Sequence, residues 1–159
     1  MSKHTMRRKD REIPLEQAYQ IVDKCAFAVI STVNADNTPY GVPLNIVREG
    51  AVLYFHCARQ GQKADNFRAR PAVSVVCVGD VFFPQDEFTT GYESAIICGS
   101  VREIMDRDAM HHPLRLLCER YMPDNMHMFE DELRKELPVV AVFAIDINSI
   151  SGKRLSLTK

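Results

Sequence analysis

The stretch that most constrains this chain is residues 53–70, Leu-Tyr-Phe-His-Cys-Ala-Arg-Gln-Gly-Gln-Lys-Ala-Asp-Asn-Phe-Arg-Ala-Arg. Residues 53–57 are aromatic and apolar with partial alternation, the composition of a strand. Gly61 punctuates the polar turn that follows. Residues 63–70 read as a short helix with Ala64, Phe67 and Arg68 on one side, ended by Pro71. A strand therefore runs through a glycine turn into a helix N-terminus, where the first amides lack intrahelical partners and the dipole favours anions. Arg59 and Lys63 flank the turn, Arg68 and Arg70 follow, and Asp65 is the one acid in the stretch. A phosphate suits such a place. Spacing alone equally fits a plain connection with solvated cations, since few helix N-termini hold ligands. Neither common nucleotide loop, G-x-x-x-x-G-K-S/T or G-x-G-x-x-G, occurs.

At 159 residues the chain has the size of one domain, and it divides into a polar arm over 1–12 and a single domain over 13–159. The arm sets Lys3, Arg7, Arg8, Lys9 and Arg11 against Asp10 and Glu12, and reads as a flexible or loosely docked segment. A net charge of −1 argues against general binding to nucleic acid or to a membrane surface. No apolar run approaches the roughly 20 residues of a spanning helix, and the basic N-terminus has no apolar stretch of a secretory signal. Cys25, Cys57, Cys77, Cys98 and Cys118 are odd in number, well separated and set in apolar segments. They read as buried free thiols in a reducing compartment, hence the cytoplasm.

Pro14 suits a first helical position, and Leu15, Ala18, Tyr19, Val22 and Cys25 recur at helical spacing. A β-rich block follows over 26–33, 38–47, 51–57, 72–78, 94–105 and 139–147. Pro39 and Pro43 place the second of these strands at an edge or bulge, and Gly99 marks a bulge or close approach in the fifth. Residues 79–91 read as a loop. Asp106 suits an N-cap for a helix running to Pro123, and Asn125 a cap for the next, which Pro138 stops. Met110, Met122, Met126 and Met128 fall among Leu116, Leu117 and Phe129 and read as packing between these two helices. A substrate-covering role is the alternative. The expected fold is mainly β: a six-stranded antiparallel split barrel with peripheral helices. Six strands enclose only side chains, so a ligand has to lie in an outer groove or at a subunit interface.

His56 has Phe55 and Cys57 on the opposite strand face, and is either a ligand-orienting, proton-carrying group or a structural histidine. His111 and His112 are adjacent and point about 100° apart on a helix, and His127 lies elsewhere. Without a C-x-x-C or E-x-x-H companion no metal site is expected. No G-x-S-x-G or Ser/His/Asp arrangement stands out, so hydrolytic chemistry is not expected.

Residues 53–70, the strand Val-Ser-Val-Val-Cys-Val-Gly and the segment Tyr-Glu-Ser-Ala-Ile-Ile-Cys-Gly at 92–99 together resemble the pyridoxamine 5'-phosphate oxidase-like FMN-binding split barrels. Within these the chain is most similar to the nitroimidazole-resistance group, in its opening Met-Arg-Arg-Lys-Asp-Arg-Glu-Ile at 6–13 and in residues 54–63. The resemblance implies a homodimer with two FMN molecules at the subunit interface. It implies that His56, Ala58, Gly61, Lys63 and Asn66 serve the phosphate and ribityl chain. Leu44, Asn45 and Ile46 would line the isoalloxazine, and Tyr92 and Ser94 would approach from the partner. It implies an FMN-dependent oxidoreductase that passes electrons to nitroaromatic compounds of the 5-nitroimidazole type, with His56 as proton donor or orienting group; the sequence does not identify the electron donor, for which a nicotinamide nucleotide is a candidate. Relatives on this scaffold also include flavin reductases, oxidases and haem proteins, so a non-catalytic FMN- or haem-binding protein is the alternative.

Overall fold

In the computed structural model, which describes residues 5–156, the alternating apolar runs become one antiparallel sheet. Its strands are β1 (Glu12–Ile13), β2 (Ala28–Val33), β3 (Pro39–Leu44), β4 (Val47–Glu49), β5 (Val52–Ala58), β6 (Ala72–Phe82), β7 (Gly91–Ile104) and β8 (Val140–Leu155). Around them lie α1 (Leu15–Lys24), α2 (Gln62–Ala69), α3 (Arg107–Tyr121) and α4 (Phe129–Glu136). The order across the sheet is β3-β2-β6-β7-β8-β5-β4, with β1 paired to β8. The sheet curls without closing, which makes it a split barrel with peripheral helices, as the sequence predicts. β3, with its two prolines, is an edge strand; a central position would demand the N–H groups that proline lacks.

The expected count of six holds for the long strands, and two short ones add to them. β4 takes Val47 from the end of the predicted 38–47 run and adds Arg48 and Glu49 beyond it, and β1 brings the end of the arm onto β8, with Glu12 opposite Lys153 and Ile13 opposite Gly152. A 3-10 turn over Lys9–Arg11 precedes it, so this part of the arm is docked. Residues 1–4 of that arm lie outside the described residues. The predicted loop over 79–91 is shorter: β6 continues to Phe82 and β7 starts at Gly91, leaving 83–90 as the connection.

The interior is built from inward-facing residues of every long strand. Phe55, Phe67 and Phe143 form its densest part, with ring centroids 5.2 to 5.5 Å apart, a separation at which aromatic pairs attract beyond their buried area. α1 buries Ala18, Ile21 and Val22 against the sheet. Gly99 sits at a register shift between β7 and β8; a Cβ there would stand 2.5 Å from Ile145 Cγ2 and 2.7 Å from the Asp146 carbonyl oxygen. All five cysteines are free; Cys25, Cys57 and Cys77 are buried, whereas Cys98 and Cys118 are only partly so.

Asp106 caps α3, its carboxylate accepting from the Asp108 N–H at 3.0 Å. Asn125 does not cap α4. It lies inside a 3-10 segment over Pro123–Met128, and α4 begins behind Met128 with no side-chain cap. The methionines also divide: Met110 is buried with Leu114, Phe129 and Val142, while Met122 and Met128 remain exposed. α3 crosses β4, β5 and β8, so the late helices roof the outer face of the strand that carries His56.

Candidate cofactor and substrate site

The turn between β5 and α2 has the predicted form. Gly61 is the N-cap residue of α2, with φ +117° and ψ +161°, and no side chain caps the helix. That backbone conformation is essentially restricted to glycine. Nothing lies within 4 Å of the place where a Cβ would sit, so the requirement is conformational and not steric. Among the described residues no side chain accepts from the first-turn amides of α2.

The four cations around this turn separate by partner. The Arg59 guanidinium donates to the carbonyls of Val140 (3.0 Å) and Leu137 (3.2 Å). Arg68 pairs with Glu103 at 2.7 and 2.9 Å and donates to the Arg59 carbonyl. Arg70 donates to Asn37 Oδ1 and the Ala35 carbonyl. Among the described residues Lys63 alone of the four has no acceptor. The cationic turn expected from sequence is therefore one free ammonium beside free amides. Asn34 fixes the helix from the side, its Oδ1 accepting from Gln62 Nε2 at 2.9 Å and from the buried Asn66 Nδ2 at 2.7 Å. Sequence reasoning read Asn34 only as a turn residue, and its second use depends on β2 lying next to α2.

His56 is two residues before the end of β5, on its outer face. It opens into a cleft of ≈ 330 Å³ whose walls include Met122, Met126, Phe129 and Leu133, with Glu132 and Glu136 on its α4 side. The apolar surroundings push the His56 pKa below its ordinary value, against a weaker opposing pull from Glu136. The imidazole is therefore neutral near pH 7 and has ring nitrogens to donate and accept. Strand alternation placed His56 outward in the sequence reading; the roof over it came from residues some 70 positions further on.

Leu44 ends β3, partly buried, and Asn45 beyond it is exposed. Ile46 differs from its expected lining role. Its side chain is fully buried in the core, and its N–H and carbonyl are both engaged by the Tyr121 hydroxyl. Leu44 packs against the core while partly exposed, and of the three only Asn45 is fully exposed. Tyr92 and Ser94 sit at the far end of β7. Ser100 of that strand pairs with Ala72, near the end of α2, so Tyr92 and Ser94 are about 20 to 26 Å further along at 3.3 Å per residue. One chain does not bring them to the Gly61 turn. Between them, the buried Glu93 is held by Lys24 and Arg154, a structural network that no local pattern announces. Among the described residues no three His, Cys, Asp or Glu side chains converge as metal ligands, and no helix is long and apolar enough to cross a membrane.

The chain is thus a mainly β protein, an antiparallel split barrel with peripheral helices. The chain belongs to the pyridoxamine 5'-phosphate oxidase family, whose sequence pattern matches residues 14–154. None of the curated proteins matches it. Among solved structures, it is similar to a candidate 5-nitroimidazole antibiotic resistance protein from Bacteroides thetaiotaomicron, at 20% identity and a TM-score of 0.76 over 90% of this chain and 86% of that one. It is similar to the flavocytochrome Anf3 from Azotobacter vinelandii, at 20% identity and a TM-score of 0.77 over 98% and 76%. It is similar too to an FAD- and haem-binding protein from Mycobacterium smegmatis, at 22% identity and a TM-score of 0.76 over 92% and 74%. At such identities these likenesses speak to the fold.

Proposed function

We propose that the chain is an FMN-dependent oxidoreductase that reduces nitroaromatic compounds of the 5-nitroimidazole type and works as a homodimer. The observation that carries the reading is the turn at Gly61: a glycine-only backbone in open space, an uncapped helix end and the unpaired Lys63. A backbone outlier of this kind persists where the surroundings hold it, and here it leads into a helix end with no side-chain cap, next to a cation with no acceptor among the described residues. That donor set fits a phosphate monoester. Bound there, FMN supplies the redox chemistry, and the protein supplies position, electrostatics and access. Lys63 and the first amides of α2 hold the phosphate, Ala58 and Asn66 flank the chain that leads from it, and Leu44 and Asn45 border the ring. His56 orients the substrate through a ring N–H and returns a proton to it, while the apolar cleft walls keep water away. A nicotinamide nucleotide is the electron donor in this reading, and the cytoplasm suits five free thiols.

Two features support a dimer. The outer face of β6 and β7 exposes Val78 and Ile96, half of each side chain open to solvent. Tyr92 and Ser94 on that same end of β7 can reach a phosphate turn only in a second copy. A second reading, a non-catalytic FMN- or haem-binding protein, is favoured by one observation: His56 shares its cleft with methionine sulfurs, both ligand types of haem iron.

The visible spectrum of the purified protein separates them. Flavin bands that a nicotinamide donor bleaches and a nitroimidazole restores support the enzyme. A haem spectrum, or a colourless protein that takes up no added FMN, overturns it.

A further inference from the structure

We propose that the cleft over His56 is a charge-selective chamber for flat apolar aromatic ligands that carry a basic nitrogen, and that it rejects anionic ones. This deepens the oxidoreductase reading by naming the substrate class, and it rests on that reading only for what His56 does to the ligand.

The walls supply shape and chemistry together. At ≈ 330 Å³ the cleft is at the small end of ligand sites, the size of a one- or two-ring compound. Met126 and the exposed Met122 contribute flexible thioethers to its lining, and Phe129 an aromatic ring. Thioethers adapt to aromatic faces and edges. Apolar side chains left open in a concave surface, instead of closed over one another, are what a ligand would cover.

The polar groups are one-sided. Glu132 and Glu136 are one turn apart on α4 and both reach the cleft. Glu132 is paired to Lys135, whereas among the described residues Glu136 has no cation partner. Among the described residues no lysine or arginine lines the cleft, and Arg59, near the end of α4, is committed to the carbonyls of Leu137 and Val140. His56 adds no charge, because its apolar surroundings keep it neutral. An amine entering the cleft meets the free Glu136 carboxylate as a partner, and a carboxylate or phosphate meets it as a repelling charge. A phosphorylated vitamer of the kind that gives the family its name is therefore disfavoured here.

The test is calorimetric titration of the protein, with and without FMN, against three probes sharing one ring: para-nitrobenzylamine, para-nitrobenzyl alcohol and para-nitrobenzoate. At low salt the amine should bind about tenfold or more tighter than the benzoate, as expected for one unscreened charge pair near a surface. The alcohol should fall between them. Replacing both Glu132→Gln and Glu136→Gln should bring amine and benzoate together, and Met126→Ala should weaken all three alike. Equal binding of amine and benzoate, or a preference that survives the double substitution, overturns the inference. The outcome separates from that of the flavin reading. A protein that takes no FMN yet keeps its amine preference supports the chamber and ends the flavin; one that holds FMN and shows no preference does the reverse.

Discussion

The Tyr121 hydroxyl holds Ile46 from both sides, donating to its carbonyl at 2.9 Å and accepting from its N–H at 3.2 Å. One phenol thereby stands in for a sheet partner at the point where β3 ends and β4 begins. It ties the last turn of α3 to the segment that presents Leu44 and Asn45. Tyr121→Phe leaves two backbone groups of a buried residue unpaired and should cost about 1–3 kcal/mol in urea unfolding. Stability unchanged to within about 0.5 kcal/mol would show that this clasp contributes little.

Gly61 and Lys63 should respond differently. Gly61→Ala meets no atom and costs about 1–3 kcal/mol through backbone strain alone, with a matching loss of flavin affinity as the turn shifts. Lys63→Ala should leave unfolding untouched and weaken FMN by roughly 1.5–3 kcal/mol, the range of a hydrogen bond to a charged group. Fluorescence titration with FMN measures both, and equal affinity in Lys63→Ala would remove the phosphate from this turn.

His56 gives a pH signature with a defined sign. Its folded pKa lies below the ordinary 6.5 because burial disfavours the imidazolium. The unfolded chain therefore binds the proton more readily. The stability tied to His56 is complete above pH 6.5 and is lost as pH falls through the lower folded value. Chemical denaturation at pH 7.5 and at pH 5 should show wild type losing more than His56→Gln. In nitroimidazole reduction the same variant should lose turnover while keeping its flavin, and should lose the rise in rate towards acid that a protonating histidine gives.

Gly99→Ala addresses packing instead of conformation. The added methyl group would press on Ile145 and on the Asp146 carbonyl, a backbone atom that cannot rotate away. Overpacking of this kind costs about 1–3 kcal/mol, seen as a lower midpoint in thermal unfolding. A wild-type midpoint would mean that the bulge between β7 and β8 can widen.

Several of these positions were legible before any coordinates. The strand, turn and helix at 53–70 follow from alternation, glycine and proline, all local signals, and the six long strands and the Asp106 cap follow likewise. What escaped is non-local. Arg59, Arg68 and Arg70 looked available because their acceptors, at Val140, Glu103 and Asn37, lie up to 81 positions away. Ile46 carries a ligand-lining role only through the family resemblance, and nothing near it in sequence announces that Tyr121 engages its backbone. The last strand ends at Ile147 in the sequence reading, with residues 150–155 at most a short extension, because Asn148, Ser149 and Ser151 break the apolar run; yet Ser149 to Leu155 continue to pair with β7, and Asn148 is the residue left over at the register shift. The methionines were placed between two helices, but helical spacing does not tell a closed seam from an open wall.

The length of β8 also fixes an order of events during synthesis. Its 16 residues pair with β1, β5 and β7. A nascent chain that has not yet emerged past Val140 carries two half-built sheets with raw edges. Neither the histidine cleft nor the docked arm exists at that stage. Both are completed together when β8 pairs, so a chain cut short before it would expose raw strand edges and lack both the cleft and the docked arm.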